Sequence, residues 1–256
     1  MDTSKYEIII PEYNNERADQ NEEWFYIEHE GKRTRLRAHD YDEIYKIPGL
    51  YEELFYNRME CVSPDVVCEM LDEEMKKAGQ SDSSLRVFDF GAGNGIVGEK
   101  VRELDCDLVV GVDIISEAKQ ASERDRPGVY DGYYVLDMSS LDENKENHFK
   151  SYNFNTLVTV AALGFDDIPT VAFLNAFNLV QDDAWVAFNI KEKFLSEEDD
   201  SGYSEIFNKI LNENFNILQE RKYCHRLSFA GEELCYHAIV GKKLDNISDI
   251  SELIAN

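Results

Sequence analysis

A buried strand that runs into three alternating glycines and then into a helix leaves a chain few folds. Leu85–Phe90 (LRVFDF) reads as the strand, Asp89-Phe90-Gly91-Ala92-Gly93-Asn94-Gly95 as the loop, and residues 95–104 as the helix. The same rhythm continues beyond it. Residues 107–113 (DLVVGVD), 132–137 (GYYVLD), 155–163 (NTLVTVAAL) and 185–190 read as strands, with helices at ISEAKQASERD, at about 167–180 and near 202–214. Short apolar strands alternating with helices require a mostly parallel sheet covered on both faces. Two last strands, about 216–227 and 234–243, are joined through Ser228–Glu232, a connection too short for anything but an antiparallel pair.

The N-terminal quarter has another character. Residues 1–22 are polar and predict irregular chain, and 23–38 (EEWFYIEHEGKRTRLR) alternate as a hairpin around Glu30-Gly31. His39 to Cys61 is rich in aromatics and predicts two short amphipathic helices broken at Pro48-Gly49. A helix is expected from Ser63, with Ser63 as N-cap and Pro64 in the first turn. The expected division is a hairpin and helical cap over 1–59, an α/β domain over 60–243, and a tail over 244–256.

Glycines at the end of a first strand let the backbone turn sharply and approach a ligand closely. Ligands of open α/β sheets lie beyond the carboxyl ends of the strands, where strand order reverses. Asp89 is expected to turn a carboxylate into that crevice, where it suits an ammonium group. Asp113 ends the second strand, twenty residues after Gly93, where an acid commonly accepts ribose hydroxyls. Asp137 ends the third, where a carboxylate can accept from an adenine amino group while Met138 packs on the ring. Each acid alone also fits a helix N-cap; three on successive strand tips point to one ligand.

D-F-G-A-G-N-G, V-V-G-V-D and Y-V-L-D, in this order and spacing, resemble the class I methyltransferases that use S-adenosylmethionine (SAM). The resemblance covers roughly 60–243. It implies a doubly wound seven-stranded sheet in order 3-2-1-4-5-7-6 with strand 7 antiparallel. It places the methionine part of SAM on Asp89, Gly91, Gly93 and Gly95, the ribose on Asp113 and the adenine on Asp137, with Asn94, Ile114 and Met138 beside them. Ala161 would lie near the methionine end. AALGFDDIP is also similar to methyltransferase-like proteins of the Williams–Beuren type. Such enzymes align a nucleophile with an already activated methyl group, and need a base only for a protonated acceptor. His39 is the candidate base, against a reading as a half-exposed histidine between hairpin and helix. Tyr41 and Tyr45 either face the sulfonium or adenine or pack as core.

Composition narrows the acceptor. There are 52 acidic and 26 basic residues, a net charge of −26. Such a surface repels phosphate backbones, so a small molecule is expected as acceptor rather than nucleic acid. Lys32, Arg33, Arg35 and Arg37 read as a solvated strand face. Residues 191–204, with Glu192, Glu197 and Glu198, either wall the acceptor pocket and favour an amine, or are solvated surface, the preferred reading. Five cysteines without a C-x-x-C pair predict free thiols. His225 and His237 could pair across the last hairpin but have no metal-ligand spacing. No run approaches the roughly 18 apolar residues of a membrane span, and no basic-then-apolar leader opens the sequence. A cytoplasmic location is expected.

Two rivals remain. Gly93-Asn94-Gly95-Ile96-Val97-Gly98 fits G-x-G-x-x-G of NAD(P)-dependent oxidoreductases. Asp89, two residues before Gly91, would repel a pyrophosphate. The second rival is a non-catalytic SAM-binding module, since fold does not fix function.

Overall fold

The computed structural model describes residues 6–12, 20–29, 31–80, 84–163, 168–195, 204, 213–248 and 250. A small antiparallel sheet comes first: β1 (Tyr6–Ile9), β2 (Trp24–His29) and β3 (Lys32–Arg37), in the order β1-β2-β3. The hairpin is as expected, although Glu30 of its turn lies outside the described residues. Strand β1 is a correction, because residues 6–9 are not irregular. Ile8 is 4 % exposed and packs with Phe25 and Ile27. The sequence around it is too short and polar-flanked to announce a strand.

Helix α1 (Tyr41–Lys46) and the turn α2 (Leu50–Glu52) are separated at Pro48-Gly49, and α2 runs on as a π-helical segment, Glu53–Arg58. Helix α3 (Ser63–Lys77) corrects the expected cap. Ser63 is its first residue rather than its N-cap, which is Val62. The Ser63 hydroxyl is spent on distant residues of the sheet.

The main sheet holds β4 (Leu85–Phe90), β5 (Cys106–Asp113), β6 (Gly132–Val135), β7 (Thr156–Leu163), β8 (Trp185–Lys191), β9 (Phe215–Leu227) and β10 (Glu233–Lys243). Its order is β6-β5-β4-β7-β8-β10-β9, which counted from β4 is 3-2-1-4-5-7-6. Strand β10 is antiparallel to β8 and β9, and the remaining pairs are parallel. The chain is therefore a doubly wound α/β fold with an N-terminal sheet and helical cap. Helices α4 (Ile96–Arg102), α5 (Ser116–Asp125), α6 (Glu143–Lys150) and α7 (Thr170–Leu179) connect the parallel strands. Helix α6 is not legible in the sequence: of its eight residues only Phe149 is buried, and its start is set by Asp142, whose Oδ1 accepts from Lys145 N at 2.9 Å. The helix expected near 202–214 falls almost wholly outside the described residues.

Alternation along the strands builds two cores. Phe88, Val110 and Leu157 meet Phe173 and Phe177 of α7 on one face, while Val87, Val109 and Val158 meet Val67, Leu71 and Val101 on the other. A third cluster joins the small sheet to the cap through Phe25, Leu36, Ile44, Leu54 and Phe55, and takes in Phe229 from the β9–β10 turn. Among the described residues no helix is long and apolar enough to cross a membrane. All five cysteines are free. Arg33 and Arg37 pair with Glu28 and Asp40, and Arg35 lies over Trp24, as a solvated strand face does.

One buried ion pair fastens the cap to the far edge of the sheet. Arg226 Nη2 donates to Glu23 Oε2 at 2.6 Å, both side chains 3 % exposed, and Glu23 Oε1 accepts from Phe229 N at 2.5 Å. Removing one member of such a pair leaves an uncompensated buried charge. Glu23→Ala should therefore cost about 3–5 kcal/mol, a fall in melting temperature of roughly 6–20 °C. Glu28→Ala, which breaks an exposed pair with Arg33, should cost less than about 1 kcal/mol. Thermal denaturation of the two variants compares them directly; equal losses would contradict the assignment.

Candidate functional site

Strand order reverses between β4 and β7, and a cavity opens there. It encloses about 990 Å³ including space continuous with solvent. Its floor is the glycine loop, Gly91 to Asn94. One end is formed by the tips of β5 and β6, and the other by Val160, Ala161 and Ala162 of β7. Tyr41, Tyr45, Tyr51 and Tyr56 of the cap form the roof.

The loop is held by the neighbouring strand. Gly91 N and Ala92 N both donate to Val112 O, at 2.9 and 3.0 Å, and Gly93 N donates to Asp113 Oδ2 at 2.9 Å. Gly91 has φ +78°, and a Cβ there would lie 2.8 Å from Ala162 Cβ. Gly93 has φ +52°, and its Cβ would meet Tyr45 Oη at 2.8 Å. Both positions are closed to other residues by backbone conformation and by crowding.

The structure brings together Gly91, Gly93, Asn94, Asp113, Ile114, Asp137, Met138, Ala161, Tyr41 and Tyr45 around this one cavity. Asp113 accepts from Gly93 N with one oxygen and from Ile115 N, at 2.9 Å, with the other, and burial raises its pKa. Each carboxylate oxygen retains a second lone pair. Asp137 takes both its bonds, from Ser139 N at 2.8 Å and Ser139 Oγ at 2.5 Å, on Oδ1, and these hold its pKa below the usual range. Met138 is buried, while Ile114 is 61 % exposed at the cavity edge.

Three expected residues stand elsewhere. Gly95 is the N-cap of α4, its flank against Ser122 and Val129. His39 is not on this cavity but on a second one beside it. Asp89 does not turn into the crevice. It is fully buried behind the loop, where Oδ2 accepts from Tyr130 Oη at 2.6 Å and Oδ1 has no partner. The strand pleat decides this: Asp89 and Phe90 point to opposite faces, and Phe90 lines the cavity.

Other site residues escaped the sequence. Glu52 Oε1 accepts from Arg126 Nη1 at 2.8 Å and Asn94 Nδ2 at 3.2 Å, and Tyr45 O accepts from Arg124 Nη1 at 3.0 Å. These bonds clamp the cap across the glycine loop and α5. Tyr133 Oη donates to Gly93 O at 2.8 Å. The aromatic count of the cap was the available signal, but partners 40 to 80 residues away leave no spacing to read.

The acidic-wall reading is settled only at Glu192, which pairs with Lys222 at 2.6 Å on the sheet surface; Glu197 and Glu198 lie outside the described residues. The two hairpin histidines do not pair. Register sets His237 opposite Lys222, with its Nδ1 2.6 Å from Glu220, whereas His225 is buried against Ser63.

No protein-family model matches the chain, and no curated protein matches it. Solved structures do. A Thermoplasma acidophilum protein is 15 % identical over 69 % of this chain and 84 % of its own, with a TM-score of 0.49. The N-methyltransferase NodS of Bradyrhizobium japonicum is 12 % identical over 69 % and 96 %, at 0.46. Magnesium protoporphyrin IX methyltransferase of Synechocystis is 14 % identical over 70 % and 78 %, at 0.47. Likeness at this level leaves function to be argued from the site.

Burial raises the pKa of Asp89 to about 7 from 3.8, with Asp113 adding to the rise and the Tyr130 hydroxyl opposing it. Between those values the unfolded chain gives up its proton first, so this group's contribution to stability is full below about pH 4 and is lost as pH rises through about 7. Asp89→Asn has no proton to lose. Its stability relative to the native chain should grow by about 1.4 kcal/mol per pH unit over that interval, toward about 4 kcal/mol. Denaturant melts of both proteins at pH 5, 6, 7 and 8 measure it, and a constant difference would refute it.

Proposed function

We propose that the chain is a methyltransferase that binds SAM in the principal cavity, releases S-adenosylhomocysteine, and acts on a small-molecule acceptor. The observation that carries this is the pairing, in one cavity, of a glycine loop with two carboxylates at neighbouring strand tips. That donor set fits a nucleoside linked to an amino acid. Asp113 can accept ribose hydroxyls on the lone pairs its backbone bonds leave. Asp137 can accept an adenine amino group on Oδ2, with Met138 and Leu136 against the ring. The tyrosines of the roof present π faces, which attract a sulfonium. When bound, SAM supplies a methyl group already activated by positive sulfur.

What the chain's own residues do is bind, align and exclude water. The clamp through Glu52 and Arg126 closes the roof over the loop. A dinucleotide suits this floor poorly. The amides of Gly91, Ala92, Gly93 and Gly95 are all bonded within the protein, so they form no nest for a pyrophosphate.

Titration calorimetry tests the reading with three ligands. SAM and S-adenosylhomocysteine should bind and NADH should not. Asp113→Ala should weaken S-adenosylhomocysteine by about 10- to 100-fold, the loss of hydrogen bonds to a charged acceptor. NADH binding without either sulfur nucleoside would sink the proposal. Binding of SAM without turnover on any acceptor would leave the non-catalytic module in its place.

A further inference from the structure

Beyond Ala161 and Ala162 a second chamber, about 460 Å³ including space continuous with solvent, shares these two residues with Tyr41 and Tyr51 as a common wall with the first. No described residue lining it is an aspartate or glutamate. It is bounded instead by Cys61, His39, Tyr236, His225 and Arg226. We propose that this chamber is the acceptor site, that it takes a small molecule through an anionic oxygen, a carboxylate or phenolate, and that His225 Nε2–H is the donor that holds that oxygen. This rests on the reading of the first cavity as the SAM site.

The proton on His225 is fixed by counting donors. Asn189 is buried, and its Oδ1 accepts from Ala161 N at 2.6 Å, so its amide can face only one way. Asn189 Nδ2 then donates to Ser63 Oγ at 3.1 Å and to Tyr223 Oη at 2.8 Å. Ser63 Oγ lies 2.6 Å from Tyr223 Oη and 2.5 Å from His225 Nδ1. If Tyr223 donates to Ser63 and Ser63 to Nδ1, every proton of the chain has an acceptor. The reverse arrangement leaves the half-buried Tyr223 hydroxyl with no acceptor for its proton among these groups, which is the less favourable count. The imidazole therefore accepts at Nδ1 and carries its proton on Nε2. None of the hydrogen bonds of His225 uses Nε2. Burial and the positive charges of Arg226 and Lys191 keep the ring neutral, so it is a donor and not an acid.

The field in the chamber is positive. Burial raises the pKa of Cys61 and of Tyr51, and Arg226 opposes the rise in both; on His225 burial and Arg226 act together to lower it, while Glu23 is not on the chamber wall. An ammonium would meet a donor and a guanidinium there; an anionic oxygen meets two complementary groups. Such an acceptor also needs no base. Its lone pair forms the O–CH₃ bond as the C–S pair returns to sulfur, the two opposite charges cancel, and no proton moves. His39, on the same chamber, is then left without a proton to take.

Benzoate and benzylammonium, matched in size and opposite in charge, are the probes. Calorimetry on the protein saturated with S-adenosylhomocysteine should show saturable benzoate binding and none for benzylammonium. His225→Leu should weaken benzoate at least tenfold, and His225→Gln, whose Nε2 lies near that of histidine, should restore it to within about threefold. Both variants should bind S-adenosylhomocysteine within twofold of the native chain, which also reports that they fold. Imidazole ¹⁵N shifts should show His225 protonated on Nε2. Equal or tighter binding of benzylammonium, no benzoate binding to the loaded protein, benzoate binding indifferent to His225→Leu, or a proton on Nδ1 would each overturn the proposal. Absence of S-adenosylhomocysteine binding would remove the parent reading, and this one with it.

Discussion

The end of β5 makes the site. Val112 O and the Asp113 carboxylate take three consecutive amides of the loop that leaves β4, so the floor of the cavity is shaped by the strand beside it. Hydrogen bonds to an ionised acceptor are among the stronger ones in proteins. The carboxylate proposed for the ribose is thus the group that sets the curvature of the glycine turn. Floor and wall cannot move apart without breaking the same bond. Tyr133 Oη, on Gly93 O, closes the turn from the β6 side.

The cap is tied down at both ends of the sheet. On the loop side Glu52 bonds Arg126 and Asn94, Tyr45 O accepts from Arg124, and the Tyr45 ring packs on Ala118 and Ala121 of α5. On the far side the contacts are continuous. Val62 N donates to His225 O and Leu227 N to Met59 O, so the chain leading into α3 bonds the end of β9, and the Glu23–Arg226 pair is buried behind it. Arg126 is 10 % exposed and Glu52 23 %, so the loop-side clamp is the wetter and weaker of the two.

What the sequence made legible were features with a period or a fixed offset. Strand and helix alternation gives the mostly parallel sheet, the resemblance its order, and the acids at strand tips foretell Asp113 and Asp137 in one cavity. Asp89 shows where that logic stops. A residue one position before the end of a strand points to the face its pleat dictates, and the motif alone does not say which face that is. Strand β1 and helix α6 carry too few buried residues to show a period. The second chamber was illegible for a different reason. Gln20, Cys61, Ala161 and His225 come from four distant parts of the chain, and His225 in isolation reads as half of a cross-hairpin pair.

Ala161 explains why two cavities meet where they do. Its φ of +56° is rare for a residue with a Cβ. Pairing of β7 with β8 is in register to Thr159 and resumes at Leu163, so the strand bulges between them. A regular ladder would have given Ala161 N a backbone acceptor on β8. The bulge turns that amide to the side chain of Asn189 instead. The strained residue is thus held by a β8 side chain whose other end orders Ser63, Tyr223 and His225. Strain of this kind persists only where surrounding bonds over-determine it, and here those bonds run through Asn189 to Ser63, Tyr223 and His225. One backbone irregularity thereby joins the partition between the two cavities to the hydrogen-bond chain that ends on the His225 ring.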